Sequence, residues 1–153
     1  MQSLRTIEGQ MMIEVILALT LIILFLSGVV VIEIYAIKNT TFARNKSIST
    51  QLANQQIERA RVVRDSAGID ALDICLSGCY INNQLTVEPE SPSGTYGQLL
   101  TIIQASVDDC PLPTGTPLAV SYRTDVVVNW SGGLTNITPA PAVEVSSCIT
   151  DWR

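Results

Sequence analysis

Residues 9–37 read GQMMIEVILALTLIILFLSGVVVIEIYAI. Between Glu14 and Glu33 lie eighteen uncharged and mostly apolar residues, which is about the minimum that crosses the hydrocarbon core of a bilayer as a helix. A carboxylate near one end of such a run is costly unless it is paired or reaches the interface. The stretch therefore predicts a membrane helix in which Glu14 needs a cationic partner.

The nine residues before Gln10 indicate one source of that cation. They contain Arg5 and end in Gly9, directly ahead of the apolar run. If the chain were cut after Gly9, Gln10 would carry a new positively charged amine, and Glu14 would become the fifth residue of the product. When helices pack side by side, that amine can meet the carboxylate of a neighbour. The segment is then self-complementary.

Gly9, the short leader with Arg5, and Glu14 resemble the N-terminus of type IV pilins and pseudopilins. The resemblance implies that a prepilin peptidase cuts after Gly9 and methylates the new amino group of Gln10. It also implies that Glu14 pairs with the N-terminus of a neighbouring subunit during filament assembly. The family usually has Phe-Thr-Leu after the cut, whereas this chain has Gln-Met-Met at residues 10–12.

Two further stretches are similar to I-type pseudopilins and related minor pilins. The first is LANQQIERARVVRD at residues 52–65, and the second is the pair VVVNWSGG and CITDWR at residues 126–133 and 148–153. The resemblance implies a structural subunit of a type IV pilus or a type II secretion-like filament. Its partners would be the prepilin peptidase, other pilin or pseudopilin subunits and the plasma (inner) membrane. The head would lie outside the cytoplasm on a single-pass anchor, and later in an extracellular or periplasmic filament.

Other interpretations of the apolar run remain open. A secretory signal peptide has a shorter apolar core and a small-residue cleavage site, which this stretch lacks. An ordinary signal anchor, carrying an extracellular binding module that never enters a filament, explains the run but neither Glu14 nor Gly9. The positive charges favour the reverse orientation, because Arg5 precedes the span while three cations follow it: Lys38, Arg44 and Lys46. A cytoplasmic leader is therefore taken from the resemblance alone.

The charge is divided along the chain. Residues 38–65 carry six basic and two acidic residues, whereas residues 66–153 carry two basic and nine acidic residues. A basic stem thus precedes an acidic head, which as a whole repels anionic polymers such as DNA, so no nucleic-acid partner is expected. A DNA-uptake pilin remains a weaker third interpretation.

The chain has room for one modest domain beside the anchor. The expected organisation is a leader at residues 1–9, a transmembrane and assembly helix at 10–37, a helical stem at 38–65 and a β-rich head at 66–153. The predicted fold class is α+β, with the long N-terminal helix packing its outer half on a small antiparallel sheet.

Four cysteines all lie beyond the predicted span, at Cys75, Cys79, Cys110 and Cys148. An even number on the exported side favours disulfides, and four cysteines allow three connectivities. The preferred pairing is Cys75 with Cys79 and Cys110 with Cys148. A zinc site is the competing interpretation, but the spacing matches no strong zinc motif and the sequence has no histidine. No metal and no cofactor are expected.

The stem should continue the helix as far as Gly68. Its apolar residues fall within one arc at 100° per residue, namely Phe42, Leu52, Ala53, Ile57, Ala60 and Val63, with Arg44, Ser47, Glu58 and Arg61 opposite. Ile69 opens a short irregular or helical connection. Glu33, near the outer interface, is expected to reach the headgroups or to pair with a basic stem residue.

The head reads as strands separated by turn residues. Strands are predicted at residues 80–87, 99–107, 118–130 and 143–149, and the third has the clearest alternation of apolar and polar positions. Pro139 and Pro141 indicate that the last strand is interrupted or lies at a sheet edge. Trp130 and Trp152 are expected to anchor the core or face the helix.

The sequence contains no recognisable active site. Without histidine, a Ser-His or Cys-His nucleophile is excluded. The acidic pairs at residues 88 and 90 and at 108 and 109 sit beside turn residues, where solvated loop charges are the better interpretation than a weak calcium site. We therefore expect a structural protein and not an enzyme.

Overall fold

The computed structural model describes residues 4–106, 109–110, 120–131 and 140–151, with side chains from residue 11 to residue 150 of those ranges. Helix α1 is followed by a short 3-10 helix and five strands: α1 is Leu4–Ala67, the 3-10 helix is Ile69–Leu76, and the strands are β1 Tyr80–Ile81, β2 Val87–Glu88, β3 Tyr96–Gln104, β4 Val120–Trp130 and β5 Ala142–Asp151. This is an α+β layout with a long, apolar N-terminal helix and small antiparallel sheets.

The chain forms two compact units, Met1–Ala43 and Arg44–Arg153. In the described residues, the first unit consists of α1 alone. The second unit contains the rest of α1 together with the 3-10 helix and both sheets. Most of the predicted stem therefore belongs with the head.

The stem packs on the sheet through the apolar arc that its sequence predicts. Residues three or four apart lie on one face of a helix, and four such residues are at most 4% exposed: Ala53, Ile57, Ala60 and Val63. They share one hydrophobic core with side chains of all three long strands, among them Leu100, Val126 and Ile149. Phe42, also predicted on this arc, is 53% exposed and lies in the first unit.

Arg61, predicted opposite the apolar arc, forms an ion pair with the exposed Glu58 at 2.6 Å and also contacts the sheet. Its side chain is only 39% exposed, and its Nη2 donates a hydrogen bond to Ser147 Oγ of β5 at 2.8 Å. Arg64, one turn later, donates from Nη1 to the carbonyl oxygen of Thr150 at 3.1 Å. The helix is therefore held to β5 by two arginines as well as by apolar packing.

The three long strands form an antiparallel sheet in the order β3-β4-β5. Strand β4 has the predicted period of two, since Thr124, Val126, Val128 and Trp130 are all buried and the residues between them are not. The alternation ends at the start of the strand, where Val120 is exposed and Ser121 is buried. Strand β5 pairs only with β4 among the described strands, so the prediction of an edge strand is confirmed.

The segment predicted as a single strand at residues 80–87 is a hairpin, and that prediction is wrong. Strands β1 and β2 pair with Ile81 opposite Val87. Between them, the side-chain oxygen of Asn82 accepts hydrogen bonds from the backbone N–H groups of Gln84 and Thr86. These bonds replace strand pairing with a turn, and Leu85 within it has a φ of 62°.

The boundaries of β3 and β5 differ from the prediction at both ends. Strand β3 ends at Gln104, so the prediction of strand at residues 105 and 106 is wrong. Strand β3 begins at Tyr96, three residues before the predicted start, and β5 is longer than predicted at each end. Gly68 ends α1 as predicted, with a φ of 90° that favours a residue without a Cβ. The predicted strand residues 107, 118 and 119 and the anchor Trp152 lie outside the described residues.

Two disulfides join Cys75 to Cys79 and Cys110 to Cys148, the pairing that the sequence analysis prefers. The first holds Cys79 beside β3, where its backbone exchanges two hydrogen bonds of 2.8 Å with Leu100. The second fixes Cys110 to β5 at the opposite edge of the sheet. The two disulfides thus hold chain segments near the two outer strands of the sheet, β3 and β5. Unprotected outer strands tend to pair with other chains.

Candidate functional site

The part of α1 in the first unit leaves its apolar side chains uncovered. Every residue from 11 to 43 is exposed, and large side chains such as Leu24 and Phe25 are exposed by 67% and 73%. A helix that is apolar all round is stable in lipid or among other helices, because all its backbone bonds are internal. This helix is long and apolar enough to cross a membrane, and no residue of its most apolar stretch is buried.

The two hydroxyl groups between the glutamates are satisfied within the helix. Thr20 Oγ1 donates to the carbonyl oxygen of Leu17, and Ser27 Oγ donates to that of Leu24, both at 2.8 Å. Such bonds let Ser and Thr lie in an apolar medium without an outside partner. In the run from Glu14 to Glu33, the demand for an outside polar partner is thus limited to the two carboxylates.

Glu14 is exposed and has no partner among the side chains that the structure describes. Its neighbours one helical turn away include Ala18, which offers no charge. The backbone of the predicted processing site, Gly9 and Gln10, belongs to the same helix, and the side chain of Gln10 is not among those that the structure describes. From Gln10 to Glu14 the rise along a helix is about 6 Å, so the three predicted residues share one short segment of α1.

Gly28 lies in the same exposed run, with no atom within 4 Å of the position that a Cβ would occupy. The structure therefore gives no packing reason for glycine within this chain. Small residues allow close approach between helices in membranes. Close contact with another helix at Gly28 would explain why this position has no side chain.

Polar residues that anchor the stem are visible only in the structure. Gln56 is fully buried; its Nε2 donates to the carbonyl oxygen of Ile81, and its Oε1 accepts from the N–H of Ile81, both at 3.1 Å. Arg59 Nη1 donates to the same carbonyl at 2.8 Å. The sequence contains one indication of this role, because Gln56 falls inside the apolar arc of the stem at 100° per residue.

Described residues of the second unit line a groove on the stem and a smaller cavity at the second disulfide. A groove of about 750 Å³ runs along polar residues of the stem: Ser47, Thr50, Gln51, Asn54, Gln55, Glu58 and Arg59. A smaller cavity of about 270 Å³ lies at the second disulfide and is lined by Asp109, Cys110, Arg123, Ser146, Ser147 and Cys148. Among the described residues, no group of three or more Cys, Asp or Glu is placed to hold a metal ion.

Arg123 beside the smaller cavity is held by Asp125, whose Oδ1 accepts a hydrogen bond from Nε at 2.8 Å. This bond and the charge of Asp125 raise the pKa of Arg123. A guanidinium is already protonated at any physiological pH, so the shift creates no proton donor or acceptor.

Comparison with protein-family models, with curated proteins and with solved structures finds no match for the chain.

Proposed function

We propose that the chain is a structural subunit of a type IV pilus or type II secretion-like filament, either a minor pilin or a pseudopilin. The observation that carries the proposal is the exposure of every side chain from residue 11 to 43, together with the position of Glu14, which has no partner among the described side chains and lies five residues after Gly9. The resemblance of this segment to pilin N-termini supports the same assignment. Processing by a prepilin peptidase after Gly9 would place a methylated amine on Gln10.

The physical mechanism is an exchange of surroundings for α1. In the membrane the apolar run contacts lipid, and in a filament it would contact the helices of other subunits. Lipid chains are as apolar as leucine, so this exchange gains little from the hydrophobic effect itself. The free energy of assembly therefore depends on helix packing and on Glu14, because the charge of Glu14 needs a partner when water is excluded.

The amine of a neighbouring subunit is the partner that the sequence offers. A charge pair inside an apolar bundle is strongly destabilised when one member is removed, because the other charge stays buried and unpaired. Glu14 would thus discriminate a correctly placed, processed neighbour from one that retains its leader. The fold of the head is held by the stem and by the two disulfides.

The test is a Glu14→Gln variant of the full chain in cells that make the filament. We expect the variant to be cleaved after Gly9 but to enter filaments at least roughly tenfold less than the wild type, since the charge for the pair is lost. The matched control is Glu90→Gln, which neutralises an exposed carboxylate of the head and should assemble normally. Normal incorporation of Glu14→Gln would contradict the proposed function.

The same experiment addresses the other class of function. A single-pass anchor that displays an extracellular binding module has no use for Glu14 and no need of cleavage. Such a protein would keep its nine-residue leader and would tolerate both variants equally. Quantifying filament-bound and membrane-bound protein for each variant separates the two functions.

A further inference from the structure

Glu33 and Lys38 are opposite charges that cannot pair within their own helix. Both are exposed in α1 and lie five residues apart, whereas side chains meet on a helix when they are three or four apart. Among the described residues, neither of them takes part in an ion pair. Within the described part of the chain, each is thus a charge without a counterpart.

The immediate surroundings of Glu33 are apolar. The residues one turn before and after it are Val29, Val30, Ala36 and Ile37, all of them exposed. If this face enters a bundle of helices, as the proposed function requires, Glu33 is covered by apolar side chains and loses its water. A cation from another chain is then needed to offset the desolvation of the carboxylate.

We infer that Glu33 of one copy pairs with Lys38 of a second copy of this chain, in parallel and displaced along the helix axis. Lys38 lies about 7.5 Å further along α1 than Glu33, at about 1.5 Å per residue. A second copy shifted by this distance brings its lysine level with the carboxylate of the first. The lysine stem is long and flexible enough to absorb a mismatch of about an ångström or two.

The same displacement agrees with the pair at the other end of the run. If Glu14 of one copy is level with residue 10 of a second, the second copy is shifted by four residues, or about 6 Å. Glu33 of that second copy is then level with Ile37 of the first, one residue from Lys38. The two charge pairs therefore specify the same axial displacement between copies to within about 1.5 Å. Both pairs can form with the same neighbouring copy, or each with a different neighbour in the bundle.

Charge pairs at both ends of the apolar run would fix the axial register between neighbouring copies. The eighteen residues between Glu14 and Glu33 are nearly all large and apolar, so they pack acceptably at several axial offsets. Polar pairs at fixed positions select one register among such alternatives, as buried polar residues do in coiled coils. Glu33 and Lys38 would add a second fixed point to the one at Glu14. This inference rests on the proposed function.

Charge reversal in full-length protein tests the pairing. Glu33→Lys and Lys38→Glu, each expressed alone, are expected to lower filament incorporation roughly tenfold, because like charges then face each other in the bundle. Expressed together, the two variants are expected to recover incorporation to within about twofold of wild type, since the reversed charge at position 33 of one variant meets the reversed charge at position 38 of the other. Lys46→Glu, a reversal at an exposed cation eight residues further on, is the control that should assemble normally.

The outcomes separate this pairing from the proposed function itself. Normal assembly of either single variant, or failure of the mixture to recover, overturns the pairing of Glu33 with Lys38. The proposed function is judged by Glu14→Gln in the same assay. If Glu14→Gln fails to assemble while Glu33→Lys assembles normally, the filament function stands and only the second pair is wrong.

Discussion

Ile23 and Ile57 belong to the same α-helix, yet 65% of the first side chain is exposed and only 4% of the second. Ile23 represents a segment whose apolar side chains have no cover within the chain. Ile57 represents a segment that contributes one face to a packed core and donates polar groups to the sheet. The difference shows that the hydrophobicity of a segment does not by itself predict whether the segment belongs to the core of the head. The residues of α1 in that core all come from its less apolar part.

The largest effect should come from truncating these two isoleucines. Ile57→Ala leaves a cavity between the stem and the sheet and is expected to lower the free energy of unfolding of the head by about 3 kcal/mol. Ile23→Ala should leave that free energy unchanged, because its side chain is 65% exposed. Urea unfolding of each full-length variant in detergent, followed by tryptophan fluorescence, measures both values. Equal losses for the two variants would refute the comparison.

Polar residues provide a second, smaller contrast. Gln56→Ala removes the acceptor of the Ile81 N–H in a buried site and is expected to destabilise the head by about 2 kcal/mol. Thr20→Ala removes a hydroxyl that bonds only to its own helix, so the unfolding free energy of the head should not change. The same urea titrations apply. A loss under roughly 0.5 kcal/mol for Gln56→Ala, the level of an ordinary surface substitution, would mean that the buried amide is dispensable.

Two glycines give the smallest contrast. Gly68 ends the helix at a φ of 90° with open space around it, so Gly68→Ala costs only backbone strain, about 1 kcal/mol. Gly28 lies inside the helix, also with open space around it, and Gly28→Ala should not alter unfolding of the head. Thermal unfolding followed by circular dichroism compares them. A Gly68→Ala variant as stable as the wild type would show that the helix end tolerates a side chain.

Much of this contrast is predictable from the sequence because it follows from periodicity. The apolar run, the arc through Ile57, the end of the helix at Gly68 and the alternation in β4 each repeat at the spacing of their element. The hydrogen bond from Arg61 to Ser147 was not predicted, because the two residues are 86 positions apart. No local pattern contains that information.

The hairpin at residues 80–88 shows a different limit. Its turn contains neither glycine nor proline, and Asn82 makes it by accepting two backbone hydrogen bonds. A run of tyrosine, isoleucine and valine around such a turn resembles one strand until the side-chain bonds are known. For the candidate site, the sequence supplies Gly9, Gln10 and Glu14. In the proposed function the partner of Glu14 belongs to another chain, and the sequence of one chain does not contain that contact.

The most direct test of the central claim is the intact mass of the protein recovered from the membrane and from filaments. The proposed function predicts a chain that has lost residues 1–9 and carries one added methyl group on the amine of Gln10. A protein that works normally in the cell while keeping all nine leader residues would contradict it, because the nitrogen of Gln10 would then be a neutral peptide amide and could not pair with Glu14.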